Sequence, residues 1–175
     1  MERNGHLKLN EDIRAKILAM SAATIDRLLQ MSGTKKELRR LRLGRDGERC
    51  VGKFLERLRE DGGQVFHDVP TAGFKLDHAV ISTHGTFAIE TKSRTKPWPK
   101  ATITVDGDQL LIAGRKPDRN PMDQAAGAAC WLEGLLAEST GKQFDVRGVV
   151  VFPRWWIEQR SPAGSRMGPR VESVA

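Results

Sequence analysis

Cys50 and Cys130 are the only cysteines among 175 residues. They cannot build a disulfide framework or a cysteine-rich zinc site, and buried thiols in a reducing compartment are the expectation. The four histidines show no H-x3-H-like spacing, which argues against a zinc hydrolase. No uninterrupted apolar run approaches the roughly 20 residues of a membrane-crossing helix, and the start MERNGHLKLNED lacks the apolar core of a secretory signal. A soluble, cytoplasmic chain without membrane contact is expected. There is no G-x-x-x-x-G-K-[ST] loop and no G-x-G-x-x-G after a strand, so nucleotide-driven motor work has no support. No serine or cysteine nucleophile stands at a recognisable spacing from a histidine. Internal repeats and long low-complexity segments are also missing.

Positive charge is plentiful. Lys and Arg number 29 against 22 Asp and Glu, a formal net charge of +7, so an anionic partner, nucleic acid first, is expected. A solvated basic surface with no such partner is the alternative. The length fits one compact domain plus a modest appendage.

The texture of the chain changes near residue 45. Residues 1–44 read as a basic helical extension, with Asn10 and Ser21 capping two short helices, then the stripe Lys35, Lys36, Arg39, Arg40 and Arg42. That stripe can lie along phosphates or be a solvated helix face. Residues 45–160 read as an α/β domain. Val51, Leu55 and Leu58 recur at helical spacing between Asp46 and Glu60, and Asp61-Gly62-Gly63 ends the helix. Strands are expected at Gln64 to Val69, Lys75 to Ser82 and Thr86 to Ser93. An exposed loop through Lys96-Pro97-Trp98-Pro99 leads to a hairpin over Ala101 to Ala113. Asn120-Pro121 opens a second helix to about Glu138, and Val146 to Phe152 reads as a buried strand. Residues 161–175 read as a flexible tail.

Within Thr86 to Lys92, alternation puts Glu90 and Lys92 on one face, about 7 Å apart, so both can lean toward one ligand. Asp77 on the preceding strand lies among Leu76, Ala79, Val80 and Ile81, where an unpaired charge would cost several kcal/mol. It needs a cation. A divalent metal is one solution, an ordinary cross-strand ion pair the other. Register matters, since a slip of one residue would send Asp77 to the wrong side; a two-residue His84-Gly85 turn would set it opposite Lys92, and a three-residue turn would need a bulge to do the same. Glu48 falls on the Val51, Leu55, Leu58 stripe, a costly place for a carboxylate unless it meets a cation or water; the alternative is a first-turn Glu favouring the positive helix end. The Gln124 amide can fix a strand carboxylate, touch a phosphate, or simply hydrogen-bond the helix start.

In order along the chain, Gly47-Glu48, Asp77-His78, Gly85-Thr86-Phe87-Ala88-Ile89-Glu90-Thr91-Lys92, Asn120-Pro121-Met122-Asp123-Gln124-Ala125 and Val149-Val150-Val151-Phe152-Pro153 resemble the motifs of the nuclease-related domain (NERD) family of the PD-(D/E)xK nuclease superfamily. The resemblance runs from Gly47 to about Pro153. It implies a restriction-endonuclease-like core, a mixed central sheet flanked by helices. It further implies metal ligation by Asp77, Glu90 and the Thr91 carbonyl, completed by Glu48, with Lys92 catalytic and Mg²⁺ or Mn²⁺ as cofactor. Ile17 to Leu29 is similar to a segment of integrase-type transposases. The leading expectation is a metal-dependent nuclease cutting DNA through Glu48, Asp77, Glu90 and Lys92, aided by Gln124. Lys35, Lys36, Arg39, Arg40 and Arg42 would hold phosphates together with Arg94, Lys96 and Lys100. The alternative is an inactive nucleic-acid-binding or partner-binding module on the same scaffold. A homo-oligomer through residues 10–30, or a protein partner in DNA processing, would extend either reading.

His78 reads as a structural histidine facing away from Asp77, His84 as a turn residue, and His67 as partnerless. Trp98, Trp155 and Trp156 read as exposed enough to stack on bases, though packing is the commoner role.

Overall fold

The computed structural model describes residues 35–71, 73–161 and 169–174. The helices expected after Asn10 and Ser21 lie outside them. The chain divides into two compact units, Met1–Arg42 and Leu43–Ala175. What is described of the first is helix, the start of α1 (Lys35–Leu55). That helix begins well before the expected Asp46, because Lys, Glu, Leu and Arg from residue 35 onward are all good helix formers and the change in charge texture near residue 45 is no backbone signal. A 3-10 turn (Glu56–Arg59) completes the helical stretch.

The second unit then runs β1 (Gln64–Pro70), β2 (Lys75–Ser82), β3 (Gly85–Thr91), β4 (Thr102–Asp106), β5 (Gln109–Ile112), α2 (Pro121–Thr140), β6 (Val146–Val151), β7 (Trp156–Ser161) and β8 (Arg170–Glu172). A five-stranded mixed sheet has the order β1-β2-β3-β6-β8, and β5-β4-β7 form a second sheet. The first three strands are an antiparallel meander; β6 joins β3 in parallel and β8 joins β6 in parallel.

Helices cover both faces of the large sheet. On one, Val51 and Leu55 of α1 pack on Val65, Val80, Ile89 and Val151. On the other, Ala128, Ala129 and Leu132 of α2 pack on Leu76, Ala79, Ala88 and Val146. Small residues let α2 approach closely: a Cβ at Gly148 would lie 2.7 Å from the Ala125 carbonyl oxygen. The Asn120 side chain accepts from the Met122 N–H at 3.1 Å and Gly141, at φ 70°, closes the other end of α2. Ile103, Val105 and Leu110 of the small sheet join Met122, Val150 and Phe152 in a third cluster.

The C-terminal stretch is not a featureless tail. Phe152 N–H donates to the Glu172 carbonyl at 2.9 Å and Arg154 N–H to Val174 at 2.8 Å, so β8 covers the β6 edge. A three-residue strand carries too little periodicity to rise above its Gly/Pro/Ser-rich approach. Trp155 is buried at 3% exposure within the third cluster, so it packs and is not exposed for stacking, while Trp156 and Trp98 are exposed.

Candidate active site

The turn between β2 and β3 sets the site's register. Ser82 pairs with Gly85, so the turn residues are Thr83 and His84. Ser82 Oγ accepts from His84 N–H and donates to the Gly85 carbonyl, and Gly85 takes a φ of 136° that L side chains rarely adopt. The expected His84-Gly85 turn is thus replaced, and the pairing moves by two residues. Carried one step past the last pair, His78 with Ile89, this register brings Asp77 level with Glu90 rather than Lys92.

Along β2 the alternation breaks beside Asp77. The ladder to β1 has pairs on either side, His67 with His78 and Val69 with Leu76, but none joining Asp68 to Asp77, and Asp68 has a φ of 53°. Leu76 packs with Ala79 against α2, whereas the Lys75 ammonium reaches Glu48 of α1 at 3.1 Å, Asp68 at 2.7 Å and Asp77 at 3.8 Å. Glu48 is brought there by its neighbour. A Cβ on Gly47 would lie 1.6 Å from Ser93 Oγ, so only glycine lets α1 sit against the chain just past Lys92. On β3, the Lys92 ammonium bonds Glu90 at 2.5 Å.

Asp77 is the electrostatic centre. It is 6% exposed, and one carboxylate oxygen accepts from the Thr91 N–H at 2.8 Å. Burial first, then the negative charges of Glu90 and Glu48, push its pKa up to about 6 against the pull of Thr91 and Lys75. Burial works against the Lys75 ammonium, yet its bonds to Asp68 and Glu48 outweigh that and hold it above the usual lysine range. The Asp68 carboxyl is held low by its bond to Lys75. Four carboxylates, Glu48, Asp68, Asp77 and Glu90, thus share two ammoniums, Lys75 and Lys92.

That imbalance suits a dication. Among the described residues, no three His, Cys, Asp or Glu side chains form a ready-made cage. Were an ion held here, the Asp77 and Glu90 carboxylates with backbone oxygen and water would be its donors, the shell a water-retaining Mg²⁺ prefers.

The other expected residues are scattered. Gln124 is exposed on α2, and among the described residues its side chain makes no hydrogen bond. Arg39, Arg40 and Arg42 are exposed on α1, whose first positions are Lys35 and Lys36. Arg94 and Lys100 are exposed, while Lys96 lies 5.6 Å from the Trp155 ring, whose indole N–H donates to the Arg94 carbonyl at 3.1 Å. The Thr91 hydroxyl is buried and has no hydrogen-bond partner among the described residues.

Two residues of this region were not singled out from the sequence. Lys75 stood there only as the first residue of a strand. His67 is not partnerless: its Nδ1 lies 2.8 Å from His78 Nδ1 and its Nε2 lies 2.7 Å from Glu56. Only the β1–β2 register reveals that pair. Burial, with His67 next, lowers the His78 pKa to about 4, so its ring is neutral.

Helices on both faces of a mixed sheet, with a buried Asp beside a Glu-x-Lys strand, define an α/β protein with a nuclease-like core. The chain belongs to the family described as "Nuclease-related domain" (NERD), whose model matches residues 43–153. Neither a curated protein nor a solved structure matches it.

Proposed function

We propose that the protein is a metal-dependent nuclease that hydrolyses DNA phosphodiester bonds with Glu48, Asp77, Glu90 and Lys92. The observation that carries this reading is the charge on Asp77: a buried carboxylate on which Glu90 and Glu48 both bear. A protein does not stabilise its fold by gathering acids, so the arrangement makes sense as a cation site. Asp77 and Glu90 would hold Mg²⁺ or Mn²⁺, with the Thr91 carbonyl as a backbone donor. When bound, such an ion supplies Lewis acidity, lowering the pKa of water and offsetting charge on the phosphoryl oxygens. Lys92 donates to a non-bridging oxygen of the scissile phosphate and steadies the charge that builds there. Glu48 accepts from the attacking water and orients it. Oxygen from that water bonds phosphorus as Glu48 takes a water proton, the ester bond breaks, and the departing oxygen takes a proton from solvent. Gln124, on the same reading, touches backbone phosphate, and the basic residues Lys35, Lys36, Arg39, Arg40, Arg42, Arg94, Lys96 and Lys100 add affinity. No described helix is long and apolar enough to cross a membrane, and the reading places this work in the cytoplasm.

The assay supplies Mg²⁺ or Mn²⁺ with plasmid, linear and single-stranded DNA, and RNA for comparison. Wild type should cut DNA only with metal, and Glu90→Ala and Lys92→Ala should each abolish cutting. Cleavage that survives both substitutions, or needs no metal, removes the proposed chemistry.

One observation favours a second reading, a nucleic-acid-binding module without turnover. Lys75 already bridges Glu48 and Asp68 and approaches Asp77, so the cluster has an internal cation. Tight DNA binding in EDTA, with no heat of metal uptake that Asp77→Asn removes, would support the module.

A further inference from the structure

Beside the acidic cluster, α1, β1 and β2 enclose a groove of about 570 Å³. One wall is made by Glu48 and Gly52 of α1 and by Glu56 at the start of the 3-10 turn. Gly52 leaves the floor open, since a Cβ there would meet the His67 and His78 rings at 3.5–3.6 Å. The next row of the same helix, Arg45, Arg49 and Lys53, forms an exposed rim along the groove. Residues four apart are neighbours on a helix surface at steps of about 6 Å, so the three cations follow one ridge inclined to the helix axis.

The charges of wall and rim differ in how they are paired. The wall's acids are already engaged: Glu48 and Asp68 with Lys75, Glu56 with Arg59 and His67. Among the described residues, Arg49 and Lys53 have no carboxylate within 4 Å, and Arg45 has only an exposed contact of 3.5 Å to its neighbour Asp46. Exposed contacts of that kind hold little. A line of uncommitted cations beside a slot that ends at Glu48 and Lys75 has the form of an anion track, and a polymer carrying one charge per repeat satisfies it along its whole length. Arg49 can grip phosphate with two parallel N–H bonds and Lys53 adds a point charge.

The geometry points to the rim Arg45, Arg49 and Lys53 as a binding track for the phosphodiester backbone of a nucleic-acid strand, leading it toward the cluster of Glu48, Asp77, Glu90 and Lys92. The track rests on the nuclease reading above for its purpose, but its binding is independent of metal and chemistry. Contacts to phosphate carry no base information, so affinity along the track is insensitive to sequence. The sequence alone placed phosphate contacts before residue 43 and after Ser93; the groove adds a set between them, in the same compact unit as the acids.

The test is fluorescence anisotropy in EDTA with labelled single-stranded and duplex DNA of two unrelated sequences, across a salt series. Arg49→Ala/Lys53→Ala should weaken binding roughly ten-fold and flatten log K against log[salt] by about one per lost contact. Lys142→Ala/Arg147→Ala removes two exposed charges elsewhere and should leave both quantities as in wild type. Thermal melting confirms that each variant is folded, and loss confined to one of the two DNA forms names the form that the track accepts. An unchanged affinity and slope in the rim variant overturns the proposal, as does an equal loss in the control, no DNA binding by wild type, or stronger retention of an acidic peptide than of DNA. The two readings fail separately: a wild type that never cuts but loses binding through the rim keeps the track while ending the nuclease.

Discussion

Asp77 and Thr91 are joined across β2 and β3 by a 2.8 Å hydrogen bond from backbone N–H to buried carboxylate. This bond occupies one Asp77 oxygen and leaves the other 3.8 Å from the Lys75 ammonium. Its partner strand carries Glu90 just before and Lys92 just after the donor, so a single contact ties three candidate site residues into one register. The energetics are opposed. The N–H favours ionised Asp77, while burial and two neighbouring carboxylates disfavour it, and the latter prevail.

Titration should expose that balance. Asp77 is raised from 3.8 to about 6, so folding favours its protonated form: this contribution is complete below 3.8 and is lost as pH rises through 6. His78 is lowered from 6.5 to about 4, so folding favours its neutral ring: this contribution is complete above 6.5 and is lost as pH falls through 4. Each amounts to about 3 kcal/mol. Their slopes oppose one another between pH 4 and 6. Asp77→Asn should make stability fall on acidification from 6.5 to 4, and His78→Gln should make it fall as pH rises from 3.8 to 6. Urea midpoints in EDTA supply the profiles; three parallel curves would contradict both shifts.

Gly47 should tolerate no side chain. Its added Cβ would come within 1.6 Å of Ser93 Oγ and 2.9 Å of Ser93 Cβ, so rotating the hydroxyl away cannot remove the clash. Gly47→Ala should destabilise by about 1–3 kcal/mol, the usual range for overpacking. Ser93→Gly in the same chain should recover most of the loss, because it deletes both atoms. Equilibrium unfolding of the two singles and the double closes the cycle, and additive effects would show that the contact is not responsible.

The C-terminal strand should matter to stability. Val171 packs against the core cluster of Phe152 and Trp155, and Val174 against that of Val51 and Ile89. A chain ending at residue 168 loses both contacts and bares the β6 edge, which should cost roughly 2–3 kcal/mol and promote association. Urea unfolding and light scattering would register the change. An unaltered midpoint would mean that β8 merely rests on the sheet.

The sequence showed what repeats and hid what depends on a partner strand. Phe87 and Ile89 alternate with Glu90 and Lys92, and Asn120-Pro121 announces α2, so the β3 face and the second helix were legible. Asp77 was legible as a charge with apolar neighbours. Lys75 was not, because a lysine at a strand start looks solvated until Asp68 and Glu48 are seen beside it. The His67–His78 pair needs the β1–β2 register, which composition does not encode. The turn was displaced for a related reason: the hydroxyl of Ser82 decides between Thr83-His84 and His84-Gly85, and periodicity cannot see that bond.

Lys75 and a dication should compete. The ammonium sits 3.1 Å from Glu48, 2.7 Å from Asp68 and 3.8 Å from Asp77, supplying from within the positive charge that the cluster seeks. Lys75→Met keeps much of the stem and removes the charge. Without metal, the variant should lose about 1 kcal/mol, a modest figure because the lysine is nearly half exposed and its bonds are screened by water. With Mn²⁺ present, the freed carboxylates should bind the ion more tightly, so the rise in melting temperature on adding millimolar metal should exceed that of wild type. Adding Asp77→Asn to Lys75→Met should abolish that gain, since it removes one proposed ligand. A Lys75→Met chain that gains no more from metal than wild type would show that Lys75 stands apart from the cation's place, and a gain that persists in the double variant would put the ion on other groups.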